Sequence, residues 1–526
     1  MKSIISLLPS NFIKDTCTFF LFLFFFLALF FQFPYHGSLP GHWDTWLHLS
    51  LYNYYWDYFK SLISHQDIYY AMWPTQIPYF RYGEMSLLSA MLYWPFKWIL
   101  KNDLWAYYIH ISSIYALVGF SMYKLSSLFF RNKYLAITGG ILLTTSNYYL
   151  ASIDQVNVIS AYPSIFCIYF VIKWTKSKQI NTLLLASLFY GLQIYASGYL
   201  FFYLNIALAI IALYNWNDLI STGYLKRILF AGLIGSAIIS PYLYFYLFKS
   251  QEPFCFNAGR NIDIVSALSI KWDYFSNSLP YNILYGNRLD RTLLENIKSI
   301  NLGFIFPMIA FCSLIFLPTS KEKKIWWSLL ILFLLLGIGP IIKILNFNFP
   351  SPIYNWILKP LHIDKFLRTP VRAFIPILII LVLLVIKFLE KINKRSIIIL
   401  IILGILIENI PYKFQYFDSK KYLSVPDILL TFTQSIPKNN ILLIAPTSKM
   451  TEKKLNINLG EVNREYIYMY WQTKLKKTMI NGSNGFVPYS SMSIYKSINK
   501  SPIEKDEIRI KKKMVNILYL PLMNIE

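Results

Sequence analysis

In the stretch Gly41-His42-Trp43-Asp44-Thr45-Trp46-Leu47-His48, a carboxylate and an imidazole stand four residues apart. On a helix, Asp44 and His48 then share one face. A carboxylate there can act as a general base toward an acceptor hydroxyl. It can also hold a divalent metal ion, alone or with His48. The plainer reading is a helix cap, because Asp followed by Thr-Trp-Leu is a plausible helix start. The neighbouring Trp43, Trp46, Tyr52, Tyr54, Tyr55 and Trp56 read most simply as an interfacial aromatic belt; sugar-ring stacking is the sharper alternative. Glu84 follows Arg81-Tyr82-Gly83 at the edge of an apolar run. It is either a helix-start carboxylate that complements the dipole or a second acidic catalytic or metal position. Asp154 lies in a short turn with Gln155 and Asn157. It is either a solvated loop residue or part of the same pocket.

More specific is Asp364-Lys365-Phe366-Leu367-Arg368-Thr369-Pro370-Val371-Arg372-Ala373-Phe374. Thr369 is a good N-cap and Pro370 a good first helical residue. The free N–H groups and dipole of the helix they open favour an anion. Arg368 and Arg372 add two forked cations, the geometry that suits phosphate. Arginine near a helix N-terminus opposes the dipole, so something negative should compensate it. Anchoring by lipid head groups is the simple explanation; a site for a phosphorylated lipid is favoured. The six histidines include no HExxH pattern, and no Ser/His/Asp constellation can be assigned from spacing.

Composition says what must hold these residues. The 526 residues are 56% hydrophobic, 18% aromatic and 14% charged, with a mean hydropathy of +0.44. Soluble domains run at about 45–50% apolar and about 25% charged. A soluble globular enzyme and a disordered chain are therefore excluded, and a multi-pass membrane protein is expected. The net charge of +24 reads as charge at a bilayer surface. With no zinc spacing, P-loop or RNA-binding signature, a nucleic-acid partner is not expected. Cys17, Cys167, Cys255 and Cys312 lie far apart, so no disulfide framework is expected. The first apolar run ends at Gln32-Phe33-Pro34-Tyr35 without a small-residue cleavage site, as in an uncleaved signal anchor.

Eleven apolar runs are candidates to cross a membrane: 17–33, 104–123, 134–151, 158–174, 181–197, 199–214, 229–247, 302–318, 325–345, 371–388 and 396–411. Placing Lys2 and Lys14 in the cytoplasm makes every short inner loop basic. These loops carry Lys124, Arg131 and Lys133; Lys176 and Lys178; Lys226 and Arg227; Lys321, Lys323 and Lys324; and Lys391, Lys394 and Arg395. The outer turns at 152–157 and about 198 carry no Lys or Arg. Counting 83–100 as a further span would invert every later loop, so it reads as an interfacial or re-entrant helix. The expected fold is an all-α multi-pass membrane domain over 1–411, with outer loops at 34–103, 248–301 and 346–370. An extracytoplasmic α/β or β-rich domain follows over 412–526. Its β-like runs are Ile441–Ile444 and Tyr466–Tyr470, with a turn at Asn481-Gly482.

With these residues in hand, the chain resembles the GT-C superfamily of membrane glycosyltransferases, and within it the YfhO-type bacterial group. The likeness rests on the acidic first outer loop with Asp44 and Glu84 and on Phe366 through Phe374, similar to an F-x-R-x-P-x-R-F segment. It rests also on Tyr468-Met469-Tyr470 through Ile480-Asn481-Gly482-Ser483-Asn484-Gly485-Phe486-Val487-Pro488, which looks like a YMY…NGYSGF-x-P stretch. Leu475 stands where that group often has His, and Ser483-Asn484 where it has Tyr-Ser. The resemblance implies a polyprenyl-phosphate-sugar donor, an envelope glycan, lipid or polymer acceptor, and inverting displacement on the outer face. It implies that Asp44 serves as base or orients the acceptor, with Glu84 or Asp154 helping to hold acceptor or a divalent metal ion. It implies that Arg368 and Arg372 take the donor phosphate, with His48 and Asn481 also in the substrate site. Membrane lipids are the remaining expected partners.

Three other functions compete. A lipid or glycan transporter or flippase is disfavoured by the few charges within spans and the absence of a half-repeat. A surface-polysaccharide polymerase or ligase predicts paired Arg and His in one long outer loop, and 248–301 has Arg260, Arg288 and Arg291 but no His. A non-enzymatic scaffold would use the tail, whose 18 Lys+Arg against 9 Asp+Glu give it a charge of +9.

Overall fold

The computed structural model describes residues 10–41, 44–64, 86–219, 222–247, 262–271, 274–275, 279, 281–285, 300–318, 320–344, 347–360, 367, 369–392, 394–414, 416–417, 419–435, 441–445, 464–479 and 517–521. The principal helices are α1 (Ser10–Phe30), α2 (Asp44–Ser64), α3 (Leu87–Leu100), α4 (Asp103–Ser126), α5 (Lys133–Thr144), α6 (Tyr162–Ser177) and α7 (Ile180–Ala196). They continue as α8 (Gly198–Tyr214), α9 (Thr222–Leu247), α10 (Ile305–Phe316), α11 (Lys321–Ile338), α12 (Phe374–Leu389), α13 (Arg395–Asn409) and α14 (Arg464–Leu475). A helix covers most or all of each of the eleven apolar runs. Four segments, Ile13–Tyr35, Val156–Ser177, Tyr224–Tyr244 and Pro370–Leu389, are helical, long and apolar enough to cross a membrane. This is the architecture of a predominantly helical membrane protein. The 83–100 run holds only the 14-residue α3 among its described residues.

The chain forms two compact units. The first comprises Met1–Gln32, Tyr108–Pro241 and Arg260–Gln415. Its centre is α12, where twelve of sixteen residues are buried. It packs against α5, α10 and α11, and a helix apolar on every face except for Lys387 in its last turn belongs at the middle of a bundle. Ser197 is extended, ends α7, and caps α8 by accepting from Leu200 N at 3.3 Å. One residue thus breaks a continuous apolar stretch into two helices. Glu408, 4% exposed, accepts from the leading N–H groups of α10, Phe304 at 3.0 Å and Ile305 at 2.9 Å, and from the Tyr285 hydroxyl at 2.9 Å. A buried carboxylate thereby satisfies helix-end donors that no backbone acceptor reaches.

The expected span over 325–345 is shorter than the hydropathy suggests. Helix α11 stops at Ile338, because Gly339 adopts φ 81°, ψ −160° and Pro340 cannot continue a helix. Strands β2 (Ile341–Ile344) and β3 (Phe347–Pro350) follow as an antiparallel hairpin.

The second unit comprises Phe33–Tyr107, Tyr242–Gly259 and Tyr416–Glu526. Strand β1 (Leu39–Pro40) pairs antiparallel with β4 (Tyr416–Phe417). Strand β5 (Ile441–Ala445) pairs parallel with β6 (Ile517–Pro521), so the first β-like run is a strand. The second is not: Tyr466–Tyr470 lies inside α14, which packs on α2. Its β propensity yields to burial, since Trp46 meets the Tyr470 ring edge-on at 5.2 Å and Trp471 Nε1 donates to Tyr422 O at 2.9 Å.

Asp103 is the polar centre of this unit. Its Oδ1 accepts from the Tyr93 hydroxyl at 2.6 Å and from Lys97. Its Oδ2 accepts from the Tyr470 hydroxyl at 2.7 Å and from Lys474 at 2.6 Å. Burial pushes the carboxyl up, but the ammonium groups of Lys474 and Lys97 outweigh it and hold Asp103 well below the usual carboxylate range. Burial lowers Lys97, with Asp103 opposing that shift.

Candidate functional site

The best-formed site of the first unit lies where the Pro370 segment enters α12. Pro370–Ala373 form a single 3-10 turn. Val371 N donates to Leu268 O at 2.9 Å, and the Tyr148 hydroxyl donates to Val371 O at 3.2 Å. Tyr148 also meets the Phe374 ring edge-on at 5.2 Å. From the other side, Ile270 N donates to Gly337 O at 2.8 Å. A Cβ at Gly339 would collide with Ser269 and approach Pro370 Cγ at 3.4 Å. Gly339→Ala is therefore expected to cost about 1–3 kcal/mol from its backbone region alone and to displace the turn that carries Arg372. Thermal inactivation of the variant in detergent would show it.

Pro370 opens the helical segment as expected, but two local expectations change. Thr369 is buried and makes no side-chain cap. Nor are the leading N–H groups free: proline has none, Val371 N bonds Leu268 O, and Arg372 N donates to Thr369 O at 3.1 Å. An anion here must be held by the guanidinium rather than by the helix end.

The Arg372 guanidinium lies 4.1 Å from the centre of the Tyr199 ring, a short cation–π contact. Its Nη2 donates to Gln155 Oε1 at 3.5 Å. These neighbours fix the planar group. Tyr203 is 2% exposed, and its hydroxyl finds no hydrogen-bond partner among the described residues. That hydroxyl lies within electrostatic reach of Arg372, Tyr148, Tyr199 and Tyr354. A buried donor in this condition costs free energy unless something accepts from it. The arrangement offers one delocalised cation and one phenol donor among aromatic walls.

Asp154 precedes Gln155 and is 2% exposed. The solvated-loop reading is thus replaced: the turn is buried between short helices at Asn147–Ala151 and Val156–Ile159. The structure therefore places two of the expected residues, Asp154 and Arg372, in one unit and links their segments through Gln155. Asp44 and His48 belong to the other unit. Asp44 is half-buried in the first turn of α2, where a carboxylate complements the dipole. His48 is buried one turn later, its ring 6.0 Å from that of Tyr52. Glu84, Arg368 and Asn481 lie outside the described residues. Among the described residues no three His, Cys, Asp or Glu side chains cluster to hold a metal ion.

Sequence reasoning missed Tyr148, Tyr199 and Tyr203, and named Gln155 only as a neighbour of Asp154. The signal for Tyr199 was present: it lies in the first turn of α8, directly after the outer turn near 198 that lacks Lys and Arg, where one aromatic can serve a cation from elsewhere. No protein-family model matches the chain, and no curated protein matches it.

Proposed function

We propose that the protein is an integral-membrane glycosyltransferase of the GT-C kind, moving a sugar from a polyprenyl-phosphate donor to an envelope glycan, lipid or polymer acceptor. The observation that carries this reading is Arg372, fixed on Tyr199 and Gln155 within electrostatic reach of the Tyr203 hydroxyl, which has no hydrogen-bond partner among the described residues. A phosphate ester is the ligand that uses both, because guanidinium and phenol can each donate to its oxygens. In the transfer, an acceptor oxygen forms a bond to the anomeric carbon as the bond from that carbon to the phosphate oxygen breaks. The electron pair stays on the departing polyprenyl phosphate, where Arg372 meets the growing charge. The acceptor proton passes to a carboxylate, and the buried Asp154 is the one carried by the Arg372-linked turn. Asp44 then serves the start of α2 instead. The test is Asp154→Asn, which keeps shape and removes the proton acceptor. Transfer should fall about 10²–10⁴-fold while polyprenyl-phosphate binding is retained; unchanged transfer would remove Asp154 from the chemistry.

A further inference from the structure

The first unit also contains a groove that the chemistry at Arg372 does not use along most of its length. It has a cavity volume of about 140 Å³ and runs along α8 from Leu200 to Asn215, about 22 Å at 1.5 Å per residue. Between these ends its walls are mostly apolar side chains, among them Ala207, Leu329 and Ile379, with Ser164, Thr175 and Tyr203 as the polar exceptions. Its far mouth differs. Lys176 and Lys321 stand there, both exposed. Lys321 makes no hydrogen bond or ion pair among the described residues, and Lys176 donates to Leu128 O at 3.2 Å, which leaves further donors. Phe129 lies under Lys176 at 5.5 Å and meets Trp326 edge-on at 5.1 Å. Aromatic rings with lysines above an apolar slot form the pattern of a membrane–water boundary.

We propose that this groove binds an anionic phospholipid, with one acyl chain along α8 and its phosphate held by Lys176 and Lys321. Charge selects this occupant. A zwitterionic lipid brings its own ammonium group beside its phosphate and so adds no net counter-charge to the two lysines, and a free phosphate would leave the apolar slot empty. Glu322 lies at the same mouth and offsets part of the attraction, so the preference is moderate. By the distribution of basic loops, this mouth faces the cytoplasm, away from the proposed donor phosphate. The groove meets the donor site at Tyr203, which lines its near end, but lipid retention at the lysine mouth is read separately from sugar transfer.

The test offers the purified full-length protein equal amounts of phosphatidylglycerol and phosphatidylcholine in mixed micelles and counts the lipid retained after washing. Two lysines acting on one headgroup, less the opposing glutamate, should give about a tenfold preference for phosphatidylglycerol. Lys176→Gln with Lys321→Gln should bring the ratio near one; both positions are exposed, so folding is spared. Ala207→Phe, filling the slot, should lower retention of both lipids. Equal retention of the two lipids by the wild type, or a preference that survives in the double lysine variant, would overturn the proposal. So would displacement of the lipid by millimolar inorganic phosphate, which would mark a free-anion site.

Discussion

Arg372→Ala should reduce sugar transfer about 10²–10³-fold, the usual effect of removing one preorganised donor from a developing charge. The guanidinium is held on two sides, by the Tyr199 ring at 4.1 Å and by Gln155 at 3.5 Å, so its position is set before substrate arrives. Arg372→Lys should recover little of this loss. Lysine keeps the charge but loses the planar stack and the fork. Tyr203→Phe should act in the same direction and more weakly, because it removes one neutral donor. Transfer measured with purified protein and a defined polyprenyl-phosphate sugar gives each ratio. Full activity of Arg372→Ala would show that the phosphate is bound elsewhere.

Asp103→Asn should be the most destabilising single change in the second unit. Breaking a buried ion pair costs about 3–5 kcal/mol. The lower end applies, because the side chains of Lys97 and Lys474 remain 27% and 33% exposed and water repays part of their lost partner. At about 3 kcal/mol, amide exchange in α14 should speed up roughly a hundredfold. Unchanged exchange would mean that the four bonds to Asp103 do not hold α14. The same contacts set a pH dependence. Asp103 has a folded-state value below its unfolded one, so it contributes stability that is fully present above the ordinary carboxylate value near 4. That contribution is lost as pH falls from there toward the depressed folded value. Protection of α14 should therefore decline in acid in the wild type and respond much less in Asp103→Asn.

The helices were legible because hydropathy is local: a run of Leu, Ile and Phe must hide its backbone polar groups wherever it sits. The end of α11 was less so. Gly339-Pro340 is a stop signal, yet the apolar residues after it carried the hydropathy onward. Tyr466–Tyr470 shows propensity losing to tertiary packing, since Tyr468 and Tyr470 are buried in a helical frame and the Tyr470 ring meets Trp46 of α2. Asp103 could not be read from its neighbours, because Lys474 and Tyr470 lie 371 and 367 positions away. Arg372 was legible from its place after Pro370. What holds it was not, since Gln155 is 217 positions distant and Tyr199 comes from a different turn. Asp154 looked like a surface-turn residue by composition, and only the packing around that turn reveals its burial.

The most direct test of the transferase assignment compares envelope glycans by mass spectrometry in wild type, a deletion strain, and the deletion complemented with wild type, Arg372→Ala or Asp154→Asn at equal protein levels. A sugar mass lost on deletion, restored by wild type and not by either variant is the expected result. Restoration by both variants, or an envelope unchanged by deletion in a strain without a redundant enzyme, would contradict it.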